Sequence, residues 1–189
     1  MRQKDPYNIR AHREGYPSRA VYKLMEIDER FHLLEGKRRI IDLGAYPGSW
    51  SQYALERTGG FVLAIDREPF SLKGVRFLEG DITDMAFVEN VKREYGLFDL
   101  LLSDAAPKMS GISDMDQARA VELTQSAFAF ADAALRGGGD AVVKGFQGEG
   151  FKDLYDSVRH RFRICGCFSP KASRKHSSEI YIVGRGFIA

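Results

Sequence analysis

The chain has 189 residues, 44% of them hydrophobic, which fits one domain with a full core; a single domain spanning 1–189 is expected. No apolar run approaches the roughly 18–20 residues that cross a bilayer, and the polar, charged first thirteen residues lack the apolar stretch of a secretory signal, so no membrane role and a cytoplasmic location are expected. The formal net charge is only +2, but residues 1–23 hold six basic and two acidic residues, and residues 169–178 hold Lys171, Arg174 and Lys175 with no acid. A mildly acidic body with two basic segments, one of them an N-terminal arm over 1–17, suggests a polyanion bound at specific places.

In chain order, Ser18 can cap a helix reaching about Leu34, with Ala20, Val21, Leu24, Ile27, Phe31 and Leu34 recurring at three- and four-residue steps. Strands are expected at 39–43, 61–65, 75–78, 99–103, 140–144, 162–167 and 179–183. Ile40-Ile41, Leu100-Leu101-Leu102 and Ala141-Val142-Val143 are apolar without alternation, as in strands covered on both faces. Helices are expected from Trp50 to Arg57, from a cap at Asp114 to the Gly137-Gly138-Gly139 run, and around Phe151, Leu154, Tyr155 and Val158. Cys165 and Cys167 share one strand face, too close in sequence for an ordinary disulfide and too few for a closed zinc site; buried apolar thiols and no metal are expected. Strand–helix alternation implies right-handed crossovers and an α/β, Rossmann-like, mostly parallel seven-stranded sheet with helices on both faces. The segment 168–178 carries no helical stripe, so the seventh strand is expected to run antiparallel to the sixth.

The first strand leads into D-L-G-A-Y-P-G-S-W at 42–50. Gly44 and Gly48 let backbone approach a ligand, and the following helix offers unpaired N–H groups. Asp66 ends the second strand, where a carboxylate can accept from a ribose diol. The dinucleotide pattern G-x-G-x-x-G is absent because residue 46 is Tyr, and a pyrophosphate would be repelled by Asp42. A sulfonium cofactor is positive and tolerates that acid. Asp81, after the third strand, is placed to accept from an adenine amino group.

Asp104 follows the fourth strand and Lys144 ends the fifth, at the carboxyl edge where open α/β sheets bind ligands. If the seventh strand is antiparallel, Glu179 at its start lies on the same edge. Lys23, beside the apolar stripe of the first helix, can reach the crevice if that helix packs near the edge.

These motifs together resemble the FtsJ/RrmJ-type RNA ribose 2′-O-methyltransferases, the RlmE family. The resemblance runs from S-R-A-V-Y-K-L through D-L-G-A-Y-P-G-S-W-S-Q, G-D-I, S-D-A-A-P-K-M-S-G and V-V-K-G-F-Q-G-E-G-F to S-S-E-I-Y-I-V. It implies S-adenosylmethionine as donor, with S-adenosylhomocysteine as product, and a catalytic tetrad of Lys23, Asp104, Lys144 and Glu179. It also implies cofactor contacts from Gly48, Trp50, Asp66, Asp81 and Asp104, beside the loop glycine Gly44. The implied substrate is a uridine of 23S ribosomal RNA in the large ribosomal subunit, and a monomer is expected. Tyr46 and Ser49 depart from the family pattern, which commonly has a small residue and a second glycine there; both could narrow the loop. A C-terminal RNA-binding module found in some relatives is not expected, since the chain ends six residues after Val183. Competing readings are the same chemistry on transfer RNA or an mRNA cap, a nucleotide-dependent oxidoreductase, and a non-catalytic RNA-binding assembly factor.

The donor is already activated, so the protein's part is alignment and a proton acceptor. Lys144 is assigned as that acceptor. A free lysine has a pKa near ~10.4, so neutrality at pH 7 costs about 4–5 kcal/mol. The alternative is a charged Lys144 that orients the hydroxyl.

Overall fold

The computed structural model describes residues 5–107, 110, 113–174 and 177–188, apart from the side chain of Ser113. Arg2, Lys4, Met109, Lys175 and His176, which belong to the basic segments and motifs above, lie outside the described residues. The elements are α1 (Pro6–Arg13), α2 (Val21–Phe31), β1 (Arg39–Leu43), α3 (Ser49–Thr58), β2 (Phe61–Asp66), β3 (Arg76–Glu79), α4 (Met85–Tyr95), β4 (Phe98–Ser103), α5 (Ser113–Ala134), β5 (Leu135–Phe146), α6 (Phe151–Val158), β6 (Phe162–Phe168) and β7 (Glu179–Phe187). The strands form one sheet in the order β3-β2-β1-β4-β5-β7-β6. β3, β2, β1, β4 and β5 pair in parallel, and β7 is antiparallel to both β5 and β6.

The doubled apolar residues in the strands are divided between the two faces of the sheet. Ile41, Leu63, Leu101 and Val143 face a core completed by Val88 and Val91 of α4, Phe128 and Ala131 of α5, and Leu154 and Val158 of α6. Their neighbours Ile40, Val62, Leu100 and Val142 face Leu24 and Ile27 of α2 and Trp50 and Ala54 of α3. Period-two alternation sends adjacent residues to opposite layers, and both layers are covered, so both neighbours must be apolar.

Several expectations on local structure are corrected. Ser18 does not cap α2: Ala20 occupies that position without a side-chain bond, while the Ser18 amide and hydroxyl bond to Ser49 Oγ at 2.9 and 2.8 Å, joining the approach segment to α3. The helix ends at Phe31, where His32 turns left-handed (φ 51°). The glycine run does not separate helix from strand. β5 begins at Leu135, and a register shift between Phe98↔Leu135 and Leu100↔Asp140 absorbs Gly137, Gly138 and Gly139 as an irregularity within the strand, with Gly138 at φ 80°. The thiols are not core residues. β6 is an edge strand, so Cys165 is half-buried and Cys167 exposed.

Two helices have no counterpart in the sequence reading. α1 makes residues 6–13 of the N-terminal arm helical: the Asp5 side chain accepts from the Tyr7 amide at 3.0 Å, and Pro6 begins the helix. α4 is capped by Asp84, whose Oδ1 accepts from the Ala86 amide at 2.9 Å.

Candidate active site

The register fixes where the functional side chains stand. Leu43 pairs with Ile65 and Ser103, Ser103 with Val143, and Asp66 with Glu79, so β1–β5 end along one rim. In the antiparallel β5–β7 ladder Lys144 opposes Tyr181 and Phe146 opposes Glu179, which returns the start of β7 to that rim. α2 packs over the β1–β4 face and delivers Lys23.

The four residues meet. Lys144 Nζ lies 2.9 Å from Asp104 Oδ1 and 3.4 Å from Glu179 Oε1. Lys23 Nζ lies 3.0 Å from Glu179 Oε2 and 3.5 Å from Asp104 Oδ1. Lys144 also donates to the Asp104 carbonyl at 3.3 Å. Both lysines are buried, at 6% exposure for Lys144 and 8% for Lys23.

A fifth member, Tyr181, was not singled out from sequence. Its hydroxyl donates to Asp104 Oδ1 at 2.5 Å, so that oxygen faces three donors. Its ring packs on Trp50 at 5.6 Å and lies 5.8 Å from Lys23 Nζ. The available signal was period two: Glu179 and Tyr181 share a strand face, but a β-strand aromatic reads as packing.

Burial alone would raise the Asp104 carboxyl, but Lys144, Lys23 and the Tyr181 hydroxyl outweigh it and hold it below the usual range. Glu179 behaves alike, with burial overcome by Lys144 and Lys23. Burial would lower Lys144, but Asp104 and Glu179 push it above the ordinary lysine value. Asp104, Glu179 and Lys144 are thus each favoured in their charged forms at the rim. Desolvating such a group is costly and rarely favours stability, which makes the cluster a candidate functional site.

Along the same rim, the 44–48 loop joins β1 to α3. Gly44 (φ 70°) and Gly48 (φ 103°) adopt left-handed backbone, and an added Cβ would sit 2.6 Å from Ala105 Cβ or 2.7 Å from the Phe70 ring. These glycines therefore let the loop close on its own neighbours. Asp66 accepts from the Tyr46 amide at 2.8 Å and the Glu68 amide at 2.9 Å. Asp81 accepts from the Thr83 amide and hydroxyl at 2.9 and 2.8 Å and is paired with Arg67. The Trp50 indole turns away from the loop: it is 2% exposed and its Nε1 donates to the Ala20 carbonyl at 2.8 Å. Only its backbone is left to meet a cofactor, because the side chain seals α3 against α2. Tyr46 is 56% exposed and meets Phe70 edge-on, so its bulk points outward and does not narrow the loop. Ser49 is buried in the bonds to Ser18.

Asp42, read only as a tolerated acid, is 1% exposed. Its Oδ2 accepts from Ser51 Oγ at 2.6 Å, while Oδ1 has no partner among the described residues. Burial, opposed by the Ser51 bond and reinforced by Asp104 and Asp66, pushes its carboxyl up to about 7. A buried acid with an unpartnered oxygen, influenced by Asp104 and Asp66, suits a positively charged ligand.

A sheet of this order, with its crossed-back seventh strand and charged rim, is the Rossmann-like methyltransferase architecture. Among solved structures it matches a protein from Plasmodium falciparum described as a ribosomal RNA methyltransferase, with a TM-score of 0.81, 30% identity, and coverage of 92% of this chain and 100% of that one. A fibrillarin/Nop5p complex shares the fold at a TM-score of 0.62 and 19% identity. The chain belongs to the FtsJ-like methyltransferase family, whose model matches residues 16–187. Relatives named ribosomal RNA large subunit methyltransferase E include those of Methanoregula boonei, 43% identical over 97% of this chain and 96% of the relative, and Azoarcus sp., 46% identical over 95% and 90%. That of Methanothrix thermoacetophila is 41% identical over 99% of this chain and 74% of its own length.

Proposed function

We propose that this methyltransferase transfers a methyl group from S-adenosylmethionine to a ribose 2′-hydroxyl of RNA, a uridine of 23S ribosomal RNA in the large subunit being the intended target. The convergence of Lys23, Asp104, Lys144 and Glu179 within 3.5 Å contacts carries this reading. The cofactor fits the residues present: the unpartnered Asp42 Oδ1 suits a cation, and Asp66 and Asp81 stand as acceptors farther along the rim. When bound, the sulfonium supplies an activated methyl group.

The chain's own residues then orient and deprotonate the acceptor. Lys144, held in its charged form by Asp104 and Glu179, directs the 2′-oxygen as an ammonium donor. Lys23 clamps Glu179 and Asp104 from α2, and Tyr181 fixes the Asp104 carboxylate. The hydroxyl proton leaves late, from an oxygen made acidic by the forming bond, so the ion-paired carboxylates suffice as acceptors. This favours orientation over the resting-state base assigned to Lys144 from sequence.

RNA contacts are proposed on the same side of the molecule. Arg13, Lys171 and Arg174 are exposed. Arg19 is engaged internally, with Asp5 and the Ala172 carbonyl. Two aromatic residues of this region serve the fold: the Tyr16 hydroxyl donates to Glu56 at 2.6 Å and Phe168 packs on Phe31.

The test is transfer from labelled S-adenosylmethionine to ribosomal subunits, naked rRNA and tRNA, with nucleoside mapping. A 2′-O-methylnucleoside is expected, reduced by at least ~10²-fold in Lys144→Ala while cofactor still binds. Base methylation, or full activity of that variant, would sink the assignment; RNA binding with no transfer at all would favour an assembly factor.

A further inference from the structure

The segment joining β6 to β7 is seated on α2 by a contact that the chemistry above does not use. Glu26, one helical turn after Lys23, accepts from the Lys171 amide through Oε2 at 2.6 Å and from the Ala172 amide through Oε1 at 2.9 Å. The two partners lie about 145 residues away in sequence. Ala172 is fully buried in a small cluster with Ala11, Val21 and Tyr22, and its carbonyl accepts from Arg19. Pro170 accepts from the Ser173 amide at 3.0 Å, making the seated stretch a tight turn. From that turn the Lys171 and Arg174 side chains extend into solvent.

We infer that Glu26 is a positioning residue for RNA: by holding the 171–172 turn on α2, it fixes Lys171 and Arg174 at a set distance from the catalytic cluster. A carboxylate accepting two successive backbone N–H groups is a charge-assisted, two-point tie. The far end of the same segment is secured separately. Glu179 pairs with Phe146 in the β5–β7 ladder and with Lys23. Losing the Glu26 tie therefore loosens the cationic turn, which buried Ala172 and Arg19 still hold in part, while leaving the tetrad assembled, so its effect belongs in substrate binding and not in the chemical step.

The sign makes the inference distinctive. Glu26 is an anion beside a surface that would meet phosphates, so removing its charge should strengthen RNA binding if only the overall field matters. The positioning role demands the opposite. It rests on the RNA methyltransferase reading, and the wild-type arm of the test checks that reading alone.

Wild type, Glu26→Gln and Glu26→Ala would be compared for methyl transfer to large ribosomal subunits, for S-adenosylhomocysteine binding by calorimetry, and for melting temperature. The expected result is a KM for RNA raised about tenfold in Glu26→Ala and less in Glu26→Gln, which keeps one acceptor, with kcat and cofactor affinity within about twofold. The slope of log affinity against log salt should shrink by about 1 for each phosphate no longer engaged. An unchanged or lowered KM would overturn the inference, as would a loss confined to kcat, or collapse of cofactor binding and melting temperature in both variants. Absence of transfer by the wild type to any RNA would instead overturn the proposed function.

Discussion

At the scale of single residues, Asp42 is the most consequential group that the motif reading left without a role. Its carboxyl sits at about 7 because burial outweighs the Ser51 bond and the neighbouring carboxylates add to the shift. A group whose folded pKa is raised stabilises the fold fully below its unfolded pKa, near 3.8, and loses that contribution as pH climbs to about 7. The interval is worth up to about 4 kcal/mol at 1.36 per unit. Asp42→Asn should therefore melt higher than wild type at pH 8, and the gap should close by pH 4–5. Binding a cation favours ionised Asp42, so wild-type cofactor affinity should rise from pH 5.5 to about 7 with proton release, while the variant binds weakly and with a flat profile. Calorimetry in buffers of different ionisation enthalpy reads both effects. A wild-type profile as flat as the variant's would show that Asp42 keeps its charge state on binding.

At the scale of elements, the β1–α3 loop depends on glycine for contact with its own neighbours. Gly44→Ala would place a methyl 2.6 Å from Ala105 Cβ and 2.7 Å from its Cα, on a backbone at φ 70°. The loop would have to move off the end of β4, at a cost of about 1–3 kcal/mol for overpacking plus about 1 kcal/mol for the left-handed backbone. Thermal melting should show that loss, and cofactor affinity should fall with it, since Asp104 adjoins Ala105. Wild-type stability in this variant would mean that the loop has slack the packing does not show. The strand pattern was legible because two covered faces force adjacent apolar residues such as Ile40-Ile41. The antiparallel seventh strand was legible because its connection lacks a helical stripe. α4 was not, since it buries only Val88 and Val91, too few to make a stripe. The 137–139 run was misread because glycine both ends helices and fills strand irregularities. At the site, Asp104, Lys144 and Glu179 showed as charges beside strand ends and Lys23 as a charge beside a helical stripe, whereas Tyr181 and Trp50 show their contacts only through tertiary bonds.

At the scale of the whole molecule, charge is arranged for local contact. The formal net charge of +2 gives little long-range attraction to RNA, and the candidate catalytic cluster balances two lysines against two carboxylates. Among the described residues, the exposed cations of the two basic segments are Arg10, which pairs with Glu14, and Arg13, Lys171 and Arg174. Three phosphate contacts correspond to a slope of about −2 to −3 in log affinity against log salt. From Arg13, Lys171 and Arg174 alone that is a modest electrostatic grip, and phosphate contacts position RNA without reading its bases. On the proposed function, discrimination is expected to draw on the shape of the RNA around the target, as is common where RNA is read through backbone and fold. Transfer to assembled large subunits should accordingly exceed transfer to deproteinised 23S RNA by at least tenfold in kcat/KM, with the advantage persisting when salt is raised, since shape is not screened. Parallel assays on both substrates from low to moderate salt would check this. Equal rates on the two, or an advantage that vanishes with salt, would mean that phosphate contacts alone select the substrate.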